Sequence, residues 1–92
     1  MQRKRVSVYY GGHVQGVGFR CAVKVLTTGF EVTGTVRNLL DRRVELVAEG
    51  TREELDAFLQ AIRDSEVGSF IRSEDTRWES ATGTLRGFQI IG

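Results

Sequence analysis

The chain has 92 residues, 40 % apolar and 27 % charged, which suits one soluble globular domain spanning residues 1–92. A net charge of +1 excludes a global field that would recruit nucleic acid or a membrane surface, so any anion site has to be local. A single cysteine, Cys21, excludes an internal disulfide, and one cysteine with one histidine cannot build a His/Cys zinc site. The basic start Met1-Gln2-Arg3-Lys4-Arg5 lacks the apolar run of a signal peptide, and no apolar stretch approaches membrane-spanning length. A cytoplasmic location is expected.

Val6, Val8 and Tyr10 alternate with Ser7 and Tyr9 and predict a first strand with one buried face. A glycine-rich stretch follows. Phe19, Ala22, Val23 and Leu26 then recur at three- and four-residue spacing, predicting a short amphipathic helix over 19–28 that Gly29 stops. Val32, Gly34 and Val36 mark a second strand with Asn38 at its end, and residues 39–43 form a turn. Val44, Leu46 and Ala48 alternate with Glu45, Val47 and Glu49 in a third strand ended by Gly50, close enough to the second for a hairpin.

Thr51-Arg52-Glu53-Glu54 reads as a capping box opening a second helix. Leu55, Phe58, Leu59 and Ile62 form its apolar face, while Arg52, Asp56, Gln60, Arg63 and Asp64 face water. Residues 65–75 read as polar and irregular, 77–82 as a fourth strand around Trp78, and Phe88-Gln89-Ile90 as a short last strand. The order is βαββαβ with a possible short fifth strand. That order predicts an α+β, ferredoxin-like sandwich: an antiparallel sheet with two helices on one face. In it the loop after the first strand meets the end of the second, bringing Arg20 beside Asn38 across eighteen positions.

The glycine-rich stretch, Gly11-Gly12-His13-Val14-Gln15-Gly16-Val17-Gly18-Phe19-Arg20, concentrates the chemistry. It is not a P-loop, because Val17 and Gly18 stand where Lys and Ser/Thr are required. It is not a dinucleotide fingerprint, because Gly16-Val17-Gly18-Phe19-Arg20-Cys21 ends in cysteine. On the residues alone it is either a plain turn or an anion cradle. The cradle would combine inward-turned glycine amides, the donors of a helix N-terminus and the planar fork of Arg20.

Gly12-His13-Val14-Gln15-Gly16-Val17-Gly18-Phe19-Arg20, Gly34-Thr35-Val36-Arg37-Asn38 and Val44-Glu45-Leu46-Val47-Ala48-Glu49-Gly50 resemble acylphosphatase. The resemblance is close over about residues 5–64 and loose beyond. It implies a hydrolase without metal or cofactor that cleaves the carboxyl–phosphate bond of acyl phosphates to carboxylate and inorganic phosphate. It implies phosphate binding by Arg20 and by the backbone of Gln15, Gly16, Val17, Gly18 and Phe19, with the attacking water positioned by Asn38. The implied partners are an acyl-phosphate substrate and inorganic phosphate, with no nucleic acid and no membrane, and the chain is expected to be a monomer. The mechanism suits the residues: phosphoryl transfer rests on positioning and charge stabilisation, and an asparagine is too weak a base to take the water's proton.

Other readings of the same residues are structural. Asn38 would serve as a turn former, Cys21 as a small packed residue, His13 as a solvent-facing loop residue, Tyr9 and Tyr10 as sheet residues and Trp78 as partly buried packing. The chain departs from the family pattern at Thr35, where tryptophan is usual, and at Glu31, where glycine is usual. It departs also at Asp41-Arg42, where Asp-Gly is usual. Arg42 is disfavoured at φ > 0, so this turn is expected to differ or to carry strain. Gly68-Ser69 replaces a Gly-Pro pair, and Phe70-Ile71 is expected to dock on the core or on a partner. Two rival functions follow. One is a non-catalytic module binding phosphate or carbamoyl phosphate, like the front domain of hydrogenase-maturation carbamoyltransferases. The other is an RNA-binding sheet, for which Tyr9 and Arg42-Arg43 are thin support.

Overall fold

A computed structural model describes residues 2–92. The alternation at the start of the chain forms β1 (Arg3–Gly12), which buries Val6, Val8 and Tyr10 completely on one face. β1 pairs antiparallel with β3 (Val44–Thr51) on one side and with β4 (Ile71–Ser80) on the other. β2 (Thr33–Asn38) takes the free side of β3, with Asn38 opposite Val44. β5 (Phe88–Ile90) completes the order β4-β1-β3-β2-β5. β5 runs parallel to β2, so the sheet is mixed and not wholly antiparallel as expected. The cause is connectivity: β4 and β5 occupy opposite edges, so the chain between them crosses the sheet and reaches β2 running in the same direction.

The fourth strand corrects the sequence reading. It begins at Ile71, directly after a 3₁₀ turn over Glu66–Phe70, and stops at Ser80, so much of the stretch read as irregular is strand. An edge strand buries little. Only Ile71, Glu74 and Trp78 of β4 are half-buried, and the backbone ladder to β1 carries the pairing without an apolar pattern. Charges along such an edge discourage another chain from adding to it.

α1 (Phe19–Leu26) runs into a 3₁₀ turn over Thr27–Gly29 and ends at the predicted glycine. α2 (Arg52–Asp64) is capped by Thr51, whose hydroxyl accepts the Glu54 amide at 3.2 Å. The reciprocal half of the capping box does not form. Instead the Glu54 carboxylate accepts the Glu31 amide at 2.9 Å, which ties the exit of α1 to the start of α2. Phe19 and Val23 of α1 join Leu55, Phe58, Leu59 and Ile62 of α2 in one core with the buried face of the sheet. Each large apolar side chain contributes about 2–3 kcal/mol there. Phe70 and Ile71 pack on this core, and Trp78 is half-buried with the Arg52 guanidinium 3.8 Å above its ring.

The sheet's other face holds a surprise at Glu49. Read as an outward strand residue, it is completely buried. Arg5 Nε donates to its carboxylate at 2.7 Å, the Thr82 amide at 2.9 Å, the Thr82 hydroxyl at 3.0 Å and the Gly83 amide at 3.1 Å. Thr82 and Gly83 belong to the segment crossing from β4 to β5. Burial alone would push this carboxyl up. The Thr82 amide, Arg5, the Gly83 amide and the Thr82 hydroxyl together outweigh burial and hold it at about 2.

Candidate active site

The pairing register of β1 with β4 shifts between Gly11 and Gly12, and the His13 amide donates to the Phe70 carbonyl at 3.0 Å. Past that bond the chain leaves the sheet and turns towards α1. Two residues in left-handed conformation shape the turn, Gly16 at φ 79 and Gly18 at φ 80. A Cβ built at either position meets no heavy atom within 4 Å, so glycine is needed there for its backbone angle and not for room. Gly18 caps α1 without a side chain, and its carbonyl accepts the Ala22 amide at 3.0 Å. Among the described residues no protein group accepts from the amides of Gln15, Gly16, Val17, Gly18, Phe19 or Arg20. That leaves a short run of free donors at the positive end of a helix.

The side chain of Gln15 has a task that the sequence did not disclose. Its Nε2 donates to the Leu39 carbonyl at 2.9 Å and to the Arg43 carbonyl at 3.0 Å. These carbonyls flank the β2–β3 turn, so Gln15 clamps the glycine loop to the hairpin. The Leu39 amide donates to the Arg43 carbonyl at 2.8 Å and the Arg42 amide to the Leu39 carbonyl at 3.2 Å. The three-residue turn so formed places Arg42 at φ 75. A left-handed residue is the usual way to close such a turn, and here an arginine carries the strain that glycine would avoid.

Arg20 sits in the first turn of α1, and Asn38 is the last residue of β2. Both line one hollow of about 80 Å³, together with Val14, Gly16, Gly18, Phe19 and Cys21. Gln15 and Val17 do not line it: Gln15 is turned to the hairpin and Val17 packs on the core. Among the described residues the Arg20 guanidinium has no ion pair or hydrogen bond. The Asn38 amide has none either, and its Oδ1 is buried without a partner. The turn at 39–43 is closed by backbone bonds and by Asp41, whose carboxylate accepts the Arg43 amide, so Asn38 does not act as a turn former. A buried polar atom left unpaired costs about 1–3 kcal/mol; the Tyr10 hydroxyl is the other such atom among the described residues, and the Asn38 Oδ1 is set apart by lying with Arg20 on one hollow.

The remaining candidates fall as follows. His13 is exposed, with its ring 6.0 Å from that of Phe70. Cys21 is exposed and not packed as expected, because Phe19 and Val23 define the buried line of α1 and position 21 lies on the opposite side of the helix. Tyr10 packs on Phe19 at 5.1 Å between ring centres, and burial pushes its hydroxyl up, so it stays protonated. Thr35 is half-buried in β2, between Val47 and Gln89, and does not line the hollow. Among the described residues no group of three or more His, Cys, Asp or Glu is placed to hold a metal ion, and no helix is long and apolar enough to cross a membrane.

Comparison with known proteins identifies the family and the fold. The acylphosphatase family model matches residues 6–90. An acylphosphatase from Roseiflexus sp. (strain RS-1) is 38 % identical over 91 residues, covering 99 % of this chain and 98 % of that protein. The crystal structure of acylphosphatase from Bacillus subtilis superposes with a TM-score of 0.88 at 28 % identity, over 97 % of this chain and 99 % of that one. The crystal structure of HypF from T. kodakarensis matches 96 % of this chain at TM-score 0.82 and 28 % identity, but only 12 % of its own length. The chain belongs to the acylphosphatase family.

Proposed function

We propose that this chain hydrolyses acyl phosphates to a carboxylate and inorganic phosphate, in the hollow between the glycine loop and the end of β2. The observation that supports this most is the shared lining: Arg20 and Asn38, distant in sequence, border the same small space with no protein partner for either side chain. In this reading the guanidinium of Arg20 grips two non-bridging phosphoryl oxygens, and within the run Gln15 to Phe19 the amides of Gly16, Gly18 and Phe19, the residues that line the hollow, hold the rest of the anion. The side-chain amide of Asn38 accepts from, or donates to, a water and aims its oxygen at phosphorus. A P–O bond to water forms as the P–O bond to the acyl oxygen breaks, and the carboxylate departs with the bonding pair. The water's proton passes to a phosphoryl oxygen, since no carboxylate or histidine lines the hollow. Arg20 and the amides follow the charge into the transition state, where fixed donors act most strongly. We place the protein in the cytoplasm as a monomer that needs no metal.

The test is hydrolysis of a simple acyl phosphate with and without a chelator, for the wild type and for Arg20→Ala and Asn38→Ala. Chelator-insensitive turnover that both variants lose is the expected result. Phosphate binding without turnover would favour the non-catalytic module instead. Near-wild-type turnover in Arg20→Ala would refute the assignment.

A further inference from the structure

A second, larger hollow of about 370 Å³ adjoins the first, lined by Gly12, His13, Val14, Gln15 and Arg42. Val14 lines both hollows, so the two lie within one side chain's reach of each other. Charge on this rim is uneven. The hairpin carries three arginines, and two are neutralised: Arg37 Nε pairs with Glu45 at 2.8 Å and Arg43 Nε with Asp41 at 2.8 Å. Arg43 also lies over the Tyr9 ring at 5.0 Å. The side chain of Arg42 alone of the three has no ion pair or hydrogen bond among the described residues, and no carboxylate lines the hollow it borders. Arg42 is also the only non-glycine residue described with positive φ, a conformation costing about 1 kcal/mol that no side-chain hydrogen bond or ion pair offsets. His13, exposed on the same rim, offers a ring N–H donor in either charge state.

We infer that Arg42, assisted by His13, forms a subsite for a second anionic group on the acyl portion, so that the preferred substrates are acyl phosphates with a carboxylate or phosphate at the far end. This rests on the hydrolysis proposed above. The probes are 3- and 4-carboxybenzoyl phosphate, each compared with the matching methylbenzoyl phosphate, which has the same framework without the charge. Neither carboxylated probe closes readily on its own acyl carbon. For the wild type, kcat/KM is higher for at least one carboxylated probe, and raising the salt concentration shrinks the ratio because an exposed charge pair is screened. In Arg42→Gly, which suits the backbone angle and therefore folds, the ratio of carboxylated to methylated kcat/KM falls about fivefold, through KM. Arg42→Lys retains part of the preference, and His13→Ala reduces it by a smaller factor. An unchanged ratio in Arg42→Gly, or an equal fall for both probes, overturns the subsite while leaving hydrolysis standing. No turnover of either methylbenzoyl phosphate by the wild type would overturn the hydrolysis itself.

Discussion

Opposite ends of the sheet gather the same kinds of donor and use them differently. At one end the Arg5 guanidinium, a threonine hydroxyl and two main-chain amides close around Glu49, an anion that the chain itself supplies. At the other end the Arg20 guanidinium and a run of loop amides border a hollow that holds no carboxylate of the protein. The first cluster is saturated from within and fastens the crossing segment to the sheet. The second has donors and no internal acceptor, which is the condition for binding an anion from outside. The lesson is that an arginine among amides does not identify a site. The presence or absence of a built-in counter-charge does.

Breaking each cluster separates the two roles. Arg20→Ala should have the largest effect, a fall in hydrolysis of about 10²–10³-fold, because one preorganised donor to the transition state is worth about 3–4 kcal/mol. Its unfolding midpoint in urea should barely move, since the side chain makes no hydrogen bond or ion pair among the described residues. Glu49→Ala should do the reverse. It strands a partly exposed arginine and two amides, so stability should fall by about 2–3 kcal/mol in urea unfolding while the folded protein keeps its turnover.

The same carboxylate sets an acid limit. Its folded pKa, about 2, lies below its ordinary value of 4.5, so its contribution is complete above about pH 4.5. The contribution drains away as pH falls towards 2, amounting to up to about 3 kcal/mol. Glu49→Gln should flatten that part of the stability–pH curve, and an unchanged slope would count against the cluster. Gln15→Ala should give the smallest effect. Losing the clamp to the Leu39 and Arg43 carbonyls should cost about 1 kcal/mol of stability, a fall in melting temperature of about 4–8 °C, together with a severalfold rise in KM as the loop loosens.

Much of the fold was legible because its signals are local. The alternation at Val6, Val8 and Tyr10 and the three- and four-residue spacing from Leu55 to Ile62 each report one face of one element. β4 was misplaced because an edge strand is held by its backbone ladder, which leaves no apolar imprint on Ile71 to Ser80. Glu49 was misread for a related reason: its face of the sheet is covered by residues 82 and 83, and nothing near position 49 announces them. In the site, Arg20 and Asn38 could be paired only through the expected topology and the family resemblance, since nothing local links them. The Gln15 clamp was hidden because a glutamine side chain among glycines carries no sign of which carbonyls it will meet.

The sequence by itself determined the strands and helices with strong periodicity, the breaks between them and the glycine-rich turn before α1. These depend on residue size, polarity and backbone freedom over a few neighbouring positions. Only the tertiary structure decided that β5 runs parallel at the far edge and that Glu49 is enclosed. It also decided that Arg20 and Asn38 face a common space and that Arg42 is the hairpin arginine left without a counter-charge. Those outcomes depend on which distant groups end up touching, and hydrogen bonds and ion pairs reach only a few ångströms, so they exist once the chain has closed and not before.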